Sequence, residues 1–521
     1  MAGVVNLPDS IIKNIISKIP KQFKVCFLSA FIVGLTAHMY KITNWIPNWD
    51  SLVFRHDPQN MISLGRWFLP IVCNIGSLYD LPWINGFLSI VLTSLGASLI
   101  CLIFNVRKPV TAALIGAATV TFPTVTSVLL YNYVADGYSM TFFLSCLAAL
   151  LMTKNKPRYI AAAILIALSA AIYQAYISVT VMLLLLWLID RLIFKKDSVI
   201  FSLKKGAKFM GAGILGMSAY YAVLMVLLKI TGTHLLDYQG IGEAMSFSAI
   251  NIRDALYVCI HTFFNYFFDF SEGIAFFPIL NIIIVAATFV MYAVSVTKRK
   301  LFKDPARLFL LVLYVILLPA AANILAFANS TIEYHNLMKM GYFVFYMYFI
   351  LLYERMNFLK IRQIRIKCCA VFIITCIMIF NQIIIANICY HKLQLAYEKS
   401  YGLLMRIIDR IEQTDNSEVC REILIVGALP GSEAYSVNLP PDMTGATDGY
   451  ILRKDDESVG QSVLCSAIND YSGKNYSFIY GERKKEMLKS ERVKSMSRWP
   501  DKNSVTAQDG IIVIKLSESD K

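Results

Sequence analysis

Long uninterrupted apolar runs constrain this chain more than any other feature of its sequence. Two examples extend from Tyr159 to Ile189 and from Cys368 to Ile388. A bilayer core about 30 Å thick needs roughly 20 apolar residues to be crossed as a helix. Backbone polar groups in lipid must be bonded within the segment, so these runs are typical of transmembrane helices. The strands of an outer-membrane barrel would instead alternate apolar and polar residues.

The composition agrees with a membrane protein, since 57% of the 521 residues are hydrophobic and only 16% are charged. Soluble proteins have about 45–50% apolar and about 25% charged residues. We find no P-loop, GxGxxG, HExxH or GxSxG motif in a supporting context. The apolar runs predict eleven spans, near residues 25–41, 84–105, 110–131, 138–153, 159–175, 176–194, 207–229, 273–296, 307–328, 339–354 and 368–390.

The net charge of +14 follows the predicted spans and is not typical of a nucleic-acid-binding surface. With the N-terminus inside, the inner segments hold 25 basic residues and the outer loops hold 7. Inner loops of membrane proteins carry such an excess of Lys and Arg. Acidic residues ahead of the tail show the reverse bias, with ten outside and five inside. We therefore expect the chemistry on the outer face.

The predicted domains follow from this topology. Residues 1–24 carry isoleucines at helical spacing among lysines, which predicts a cytoplasmic amphipathic helix on the membrane surface. Residues 25–390 form the transmembrane domain. It includes a first outer loop at 42–83, rich in Trp, and a second outer segment at 230–272, rich in Phe.

The tail, residues 391–521, has an ordinary soluble composition and predicts a small extracytoplasmic α/β domain. Strands are expected at Glu422–Gly427 and Gly510–Leu516, and helices at Met405–Glu412 and Arg483–Met496. The predicted fold class is therefore a polytopic α-helical membrane protein with about eleven transmembrane helices and a small C-terminal α/β domain.

The first outer loop holds the most informative polar residues, Asp50, His56, Asp57 and Arg66. A carboxylate beside the membrane can act as a general base for a hydroxyl. An arginine offers a planar fork that suits a phosphate. The alternative is that the aspartates cap helices and the others are interfacial anchors.

Two short outer turns add further candidates. Asp136 lies in LLYNYVADGYSMTFFL, where an ionisable residue near a membrane edge is a functional candidate, or the cap of the following span. Tyr173 and Gln174 lie in AAIYQAYISVT. Their polar atoms could line a cavity or bond neighbouring helices, and packing is slightly favoured.

A third outer segment, NSTIEYHNLMKM, contains Glu333, His335 and Lys339. The lysine and the histidine could hold a phosphate, and the glutamate a sugar hydroxyl. An ordinary polar loop is the alternative.

Several of these segments together resemble a known family. They are the WD…HD…SLGRWFLP loop, the NYVADGYSMTFFLS turn and the SAAIYQAYIS turn, in this order. They resemble the bacterial O-antigen-modifying, serotype-converting membrane glucosyltransferases, and the resemblance covers most of the membrane region. It implies a GT-C-like fold in the bacterial cytoplasmic membrane, with the active site on the outer face.

The resemblance also implies the substrates and the reaction. The donor would be undecaprenyl-phosphate glucose and the acceptor an extracytoplasmic glycan, such as O-antigen or another cell-surface polysaccharide. An acidic residue of the first outer loop would be the base in a single displacement with inversion. Asp50 is the match, with Asp57 as the rival. Arg66, with His335 or Lys339, would stabilise the leaving phosphate.

The resemblance further implies that His56, Asp136, Tyr173, Gln174 and Glu333 contact the sugar or the acceptor. No metal or other cofactor is expected, because cationic side chains can meet the charge of a phosphomonoester leaving group. The enzyme would act downstream of a polyprenyl-phosphate glucosyl synthase and a flippase.

Other membrane functions remain open at the level of sequence. A lipid-linked oligosaccharide flippase or transporter would often show inverted repeats and charges near the midplane, which we do not find. An O-antigen polymerase or ligase usually carries its large outer loop between late spans. A non-enzymatic scaffold would not need a carboxylate-rich outer face.

The odd number of predicted spans gives a first testable prediction. A tag added after Lys521 should be reached by a membrane-impermeant reagent from outside the cytoplasmic membrane. A tag ahead of Met1 is the control and should stay protected. Protection of both tags would mean an even number of spans.

Overall fold

A computed structural model describes residues 7–54, 61–236, 251–269, 276–356, 361–434, 436–437, 439, 443–446 and 457–518. Within these residues the chain is mostly helical and divides into two compact units. We call Met1–Trp45 with His56–Asn387 the membrane unit. We call Ile46–Arg55 with Ile388–Lys521 the C-terminal unit.

The first eleven helices are α1 (Leu7–Lys18), α2 (Lys21–Thr43), α3 (Trp49–Val53), α4 (Leu69–Cys73), α5 (Pro82–Ile103), α6 (Pro109–Thr121), α7 (Pro123–Leu130), α8 (Ala135–Thr153), α9 (Tyr159–Ala170), α10 (Ile177–Asp190) and α11 (Val199–Thr231). The next six are α12 (Ile252–Phe268), α13 (Phe276–Lys298), α14 (Pro305–Ile316), α15 (Leu318–Ala322), α16 (Met340–Arg355) and α17 (Ile361–Glu412).

The class of a polytopic helical membrane protein is confirmed. Among the described residues, seven helical segments are long and apolar enough to cross a membrane, and the bent pair α6–α7 could make an eighth. The seven are Lys21–Thr43, Pro82–Ile103, Asn132–Thr153, Gln174–Lys195, Val199–Thr231, Pro278–Lys298 and Cys369–Glu412.

The predicted number of eleven spans is not confirmed, because three predicted spans correspond to shorter helices. These are α9 with 12 residues, α14 with 12 and α16 with 16. In the predicted span at 159–175, helix α9 ends at Ala170. In the predicted span at 307–328, helix α14 ends at Ile316, shortly before Pro319. A proline cannot continue the hydrogen-bond ladder of the preceding helix.

Proline also explains the bend of 41° between α6 and α7. Pro123 begins α7, and Phe122 ahead of it has an extended ψ of 138°. A residue that precedes proline is pushed out of the helical region by the proline ring. The predicted span at 110–131 is therefore a broken helix.

Close helix packing in the membrane unit depends on small residues. A Cβ atom at Gly116 of α6 would overlap the backbone oxygen of Cys26 on α2. Glycine therefore allows these two backbones to approach closely, as is common between membrane helices. Helix α16 is buried along almost its whole length, and Tyr342, Phe343 and Phe349 are fully enclosed. Such all-round apolar character is typical of a central helix.

The N-terminal amphipathic helix is shorter than the predicted segment 1–24. Helix α1 ends at Lys18, and Pro20 separates it from α2. Proline at this position removes a backbone donor and favours a break between two helices. The side chains of Ile11, Ile12 and Ile16 are exposed.

The C-terminal unit contains a four-stranded sheet in the order β2-β1-β4-β3. β1 pairs in parallel with β2 and β4, and β3 pairs antiparallel to β4. The predicted strands at 422–427 and 510–516 are confirmed as β1 and β4. The elements are β1 (Glu422–Val426), α18 (Gly431–Ala434), α19 (Glu457–Ser472), β2 (Ser477–Phe478), α20 (Gly481–Leu488), α21 (Glu491–Ser495), β3 (Val505–Gln508) and β4 (Ile511–Lys515).

The helix expected at 483–496 is two helices, because Ser490 caps a new one. Its side chain accepts a hydrogen bond from the backbone N–H of Val493. The core of this unit joins Leu424 and Val513 of the sheet to Val493 and Met496. β1 and β4 are nearly continuous apolar runs, each buried at its last four positions, as is typical of strands covered on both faces of a sheet.

A buried ion pair joins the end of α16 to the end of α10. The guanidinium of Arg355 donates to both carboxylate oxygens of Asp190, at 3.0 and 3.2 Å, and to the carbonyl oxygen of Phe104. The neighbouring Glu354 accepts from the backbone N–H groups of Arg107 and Lys108. The charged side chains of Arg355, Asp190 and Glu354 are thus each held by specific hydrogen-bond partners.

The Arg355–Asp190 pair predicts a large effect of substitution. Arg355→Ala should lower the stability of the detergent-solubilised protein by about 3 kcal/mol, because it leaves the buried Asp190 carboxylate without its hydrogen-bonded partner. The measurement is the melting temperature followed by loss of the monodisperse species.

The matched control is Arg307→Ala, which removes a pair with the half-exposed Asp304. Pairs with such exposure contribute about 0–1 kcal/mol. Equal melting temperatures for the two variants would contradict the importance of the buried pair.

Candidate functional site

Arg66 lies at the end of a tight turn ahead of α4. Gly65 has a φ of +72°, and a Cβ atom there would overlap the hydroxyl of Tyr220 on α11. That hydroxyl donates to the carbonyl oxygen of Gly65 at 3.1 Å. Glycine therefore serves both the left-handed conformation and the close approach of α11.

The guanidinium of Arg66 is held by two stacked tyrosines. Its Nη1 donates to the hydroxyl of Tyr138 at 3.1 Å, and its Cζ lies 4.9 Å from the centre of the Tyr173 ring. The two tyrosine rings stack with their centres 4.7 Å apart. Only 8% of Arg66 is exposed. Stacking and hydrogen bonding fix the plane of the guanidinium, as bidentate recognition of a phosphate requires.

Gln174, which lies just ahead of α10, forms hydrogen bonds that hold the same turn. Its Nε2 donates to the carbonyl oxygen of Leu64 at 3.2 Å and to the hydroxyl of Tyr220 at 3.0 Å. The predicted residues Tyr173 and Gln174 thus both lie beside Arg66. Tyr138 and Tyr220 were not predicted, since a tyrosine in an apolar run is usually a packing residue.

His335 and Lys339 flank the short turn that precedes α16. The turn is fixed to α7, because the hydroxyl of Thr124 donates to the carbonyl oxygen of Asn336 at 2.9 Å. The Nζ of Lys339 lies 5.9 Å from the centre of the Tyr266 ring. The half-buried His335 has an Nδ1 atom with no hydrogen-bond partner among the described residues.

The charges of two predicted phosphate ligands, Arg66 and Lys339, both act on the third, His335. Burial, followed by the nearby charges of Arg66 and Lys339, lowers the pKa of His335 to about 4. Both effects disfavour the charged imidazolium. We call Arg66, His335 and Lys339 the cationic cluster. An anion bound here would relieve the mutual repulsion of these groups.

Glu333 precedes this turn and its side chain is exposed. It belongs to the same segment as His335, and no contact within the described residues links it to the cationic cluster.

Asp136 lies in a second polar cluster, where it is 2% exposed. Its Oδ1 accepts from the backbone N–H of Gly137, and its Oδ2 has no hydrogen-bond partner in the described part of the chain. A Cβ atom at Gly76 would lie 2.5 Å from Oδ2, so glycine leaves room for the carboxylate. Val134, and not Asp136, occupies the cap position of α8.

Two asparagines that were not predicted lie nearby, since the Oδ1 of Asn85 and the Oδ2 of Asp136 both approach Gly76. The Nδ2 of Asn132 donates to Asp80 at 2.6 Å, and the Nδ2 of Asn85 donates to the carbonyl oxygen of Asn132 at 3.2 Å. The Oδ1 atoms of Asn85 and Asn132 have no partner among the described residues. Asparagines within apolar runs were the signal in the sequence, because buried polar groups usually find a bond.

Asp50 belongs to α3, in the C-terminal unit. It is half-buried in the first turn of the helix, and the cap is Asn48. The alternative that Asp50 itself caps a helix is therefore wrong. His56 and Asp57 lie outside the described residues.

Groups of three or more His, Cys, Asp or Glu side chains that could hold a metal ion are absent from the described residues.

Comparison with known proteins finds a matching family, and the match covers most of the membrane unit. A family model described as Glucosyl transferase GtrII matches residues 39–353, which is more than half of the chain. The matched region includes every predicted site residue. A search of curated proteins and a search of solved structures returned no match. The resemblance stated from the sequence is therefore confirmed.

The lowered pKa of His335 predicts a pH dependence of stability. The unfolded state takes up this proton near pH 6.5 and the folded state only near pH 4. Stability should therefore fall as the pH is lowered from about 6.5 to about 4. His335→Gln should reduce this fall, measured as melting temperature against pH.

The control is His391→Gln, which changes an exposed histidine of the C-terminal unit and should leave the wild-type profile unchanged. A His335→Gln profile identical to that of the wild type would contradict the assignment.

Proposed function

The chain belongs to the GtrII glucosyl transferase family and is a membrane glycosyltransferase, and we propose that it uses a polyprenyl-phosphate sugar as its donor. The transferred group is a hexose, specifically glucose. The acceptor is an extracytoplasmic glycan, O-antigen or another cell-surface polysaccharide. The reaction is a single displacement with inversion.

The observation that carries this proposal is the cationic cluster. When the polyprenyl phosphate departs from the anomeric carbon of the sugar, its bridging oxygen gains negative charge. The fixed guanidinium of Arg66 offers two N–H donors in one plane, and Lys339 adds a second positive charge. Groups that are oriented in advance stabilise a developing charge without reorganising during the reaction.

His335 contributes a neutral imidazole near pH 7, because its pKa is about 4. It can donate one N–H to the phosphate without adding to the repulsion between Arg66 and Lys339. The negative charge of a bound phosphate would favour protonation of the imidazole.

Asp50 acts as the general base, with Asp57 as the rival. Its carboxylate removes the proton from an acceptor hydroxyl while that oxygen attacks the anomeric carbon. The bond between the anomeric carbon and the phosphate oxygen breaks, and its electron pair leaves with the polyprenyl phosphate. The proton stays on the aspartate and the configuration at the sugar inverts.

Contacts to the sugar and the acceptor come from His56, Asp136, Tyr173, Gln174 and Glu333. Asp136 supports this role best, because the only side-chain donor beside its buried carboxylate among the described residues is the weak thiol donor of Cys73, so it can accept from a hydroxyl. Tyr173 and Gln174 also keep the Gly65–Arg66 turn in place.

The proposed topology has eleven spans in the bacterial cytoplasmic membrane, with the N-terminus inside and the C-terminal unit outside. Seven of these spans are the long helical segments, and the eighth is the bent pair α6–α7. The other three are the short helix α9, the short helix α16, and α14 together with α15. The enzyme receives its donor from a polyprenyl-phosphate glucosyl synthase and a flippase.

This proposal predicts the effects of two substitutions. With purified protein, labelled polyprenyl-phosphate glucose and a glycan acceptor, Asp50→Asn should abolish transfer, because an amide cannot take the proton. Asp57→Asn should retain it. Expression and membrane insertion of both variants serve as controls.

The opposite pattern would make Asp57 the base, and activity in both variants would overturn the mechanism. Transfer by the wild type from a nucleotide sugar instead would refute the donor.

A further inference from the structure

The C-terminal unit is built from two separate parts of the chain. Ile46–Arg55, from the first outer loop, groups with Ile388–Lys521 and not with the loop residues on either side of it. The tail therefore folds together with the segment of the first outer loop that contains Asp50.

The incorporated segment is packed firmly within this unit. Its helix α3 packs against α19, whose apolar face includes the buried Leu464 and Ile468. On α3 itself, Trp49 and Leu52 are buried. A helix of five residues is too short to be stable alone in water, so it depends on such packing.

Asn48 fixes the start of α3. Its residue is 0% exposed, and its Oδ1 accepts from the backbone N–H of Ser51 at 2.9 Å. The backbone of Asn48 is extended, with φ −90° and ψ 179°, as expected for an N-cap. Its carbonyl oxygen accepts from the N–H of Leu52. Asp50 lies two residues beyond this cap, so the direction of its side chain follows from how the cap orients the turn.

We infer that the C-terminal unit positions the carboxylate of Asp50, and that Asn48 is the positioning residue that orients it. The inference rests on the proposed function, in which Asp50 is the base. Asn48 does not meet the reacting atoms and acts only through the backbone of α3.

The test compares Asn48→Ala with Asn48→Ser in the full chain. Alanine cannot accept the hydrogen bond from Ser51, whereas serine caps helices well. Misplacement of a reacting group by about 1 Å can cost about 100-fold in rate. Asn48→Ala should lower kcat by about 10-fold to 100-fold and change the KM for polyprenyl-phosphate glucose by less than about 2-fold. Asn48→Ser should recover most of kcat.

The matched control is Ser490→Ala, which removes the cap of α21 in the same unit and should leave kcat unchanged. Hydrogen exchange gives a readout that needs no substrate. The backbone of residues 49–53 should exchange faster in Asn48→Ala than in the wild type, and at nearly the wild-type rate in Asn48→Ser.

The outcomes separate the two proposals. Faster exchange with unchanged kcat would overturn the positioning role, as would an equal loss of kcat in both Asn48 variants. If Asn48→Ala does not fold, a wild-type kcat and a wild-type exchange rate in Asn48→Ser support the inference, and a loss of both overturns it. A wild-type protein that transfers no sugar would refute the proposed function, while the exchange rates would still test the packing of α3.

Discussion

The cost of removing charge from water governs where this chain places its ionisable side chains. Asp190 is buried with Arg355, and Glu354 accepts from two backbone N–H groups. Arg66 lies against two tyrosines. A buried charge without such partners destabilises a fold by several kcal/mol. In the cationic cluster the positive charges of Arg66 and Lys339 both act on His335.

Much of the fold could be predicted from the sequence, because hydropathy reports the dominant constraint in a membrane. The long spans and the strands β1 and β4 follow from apolar runs and composition. The number of spans does not follow from hydropathy, because α9 ends at a turn of the backbone and α14 ends shortly before Pro319. Helix α16 has only 16 residues although it is buried along almost its whole length, so apolar character alone does not report whether a helix is long enough to cross a membrane.

The candidate site was predictable in part. Arg66, His335 and Lys339 stand out because charged residues beside apolar runs are rare, and the structure brings them together. The roles of Tyr138 and Tyr220 could not be predicted, because they depend on the packing of helices that are far apart in the sequence. The membership of Asp50 in the C-terminal unit depends likewise on contacts between α3 and α19, which no local pattern encodes.

The discontinuous C-terminal unit has a consequence for biosynthesis. The ribosome makes α3 early, but α19 only after the whole membrane unit from His56 to Asn387 has been made. Contacts between such distant segments form late, because a long loop must be closed before they are gained. The aspartate-bearing helix therefore lacks its contacts with α19 while the membrane unit is being made. A chain truncated ahead of α19 would lack the helix against which α3 packs.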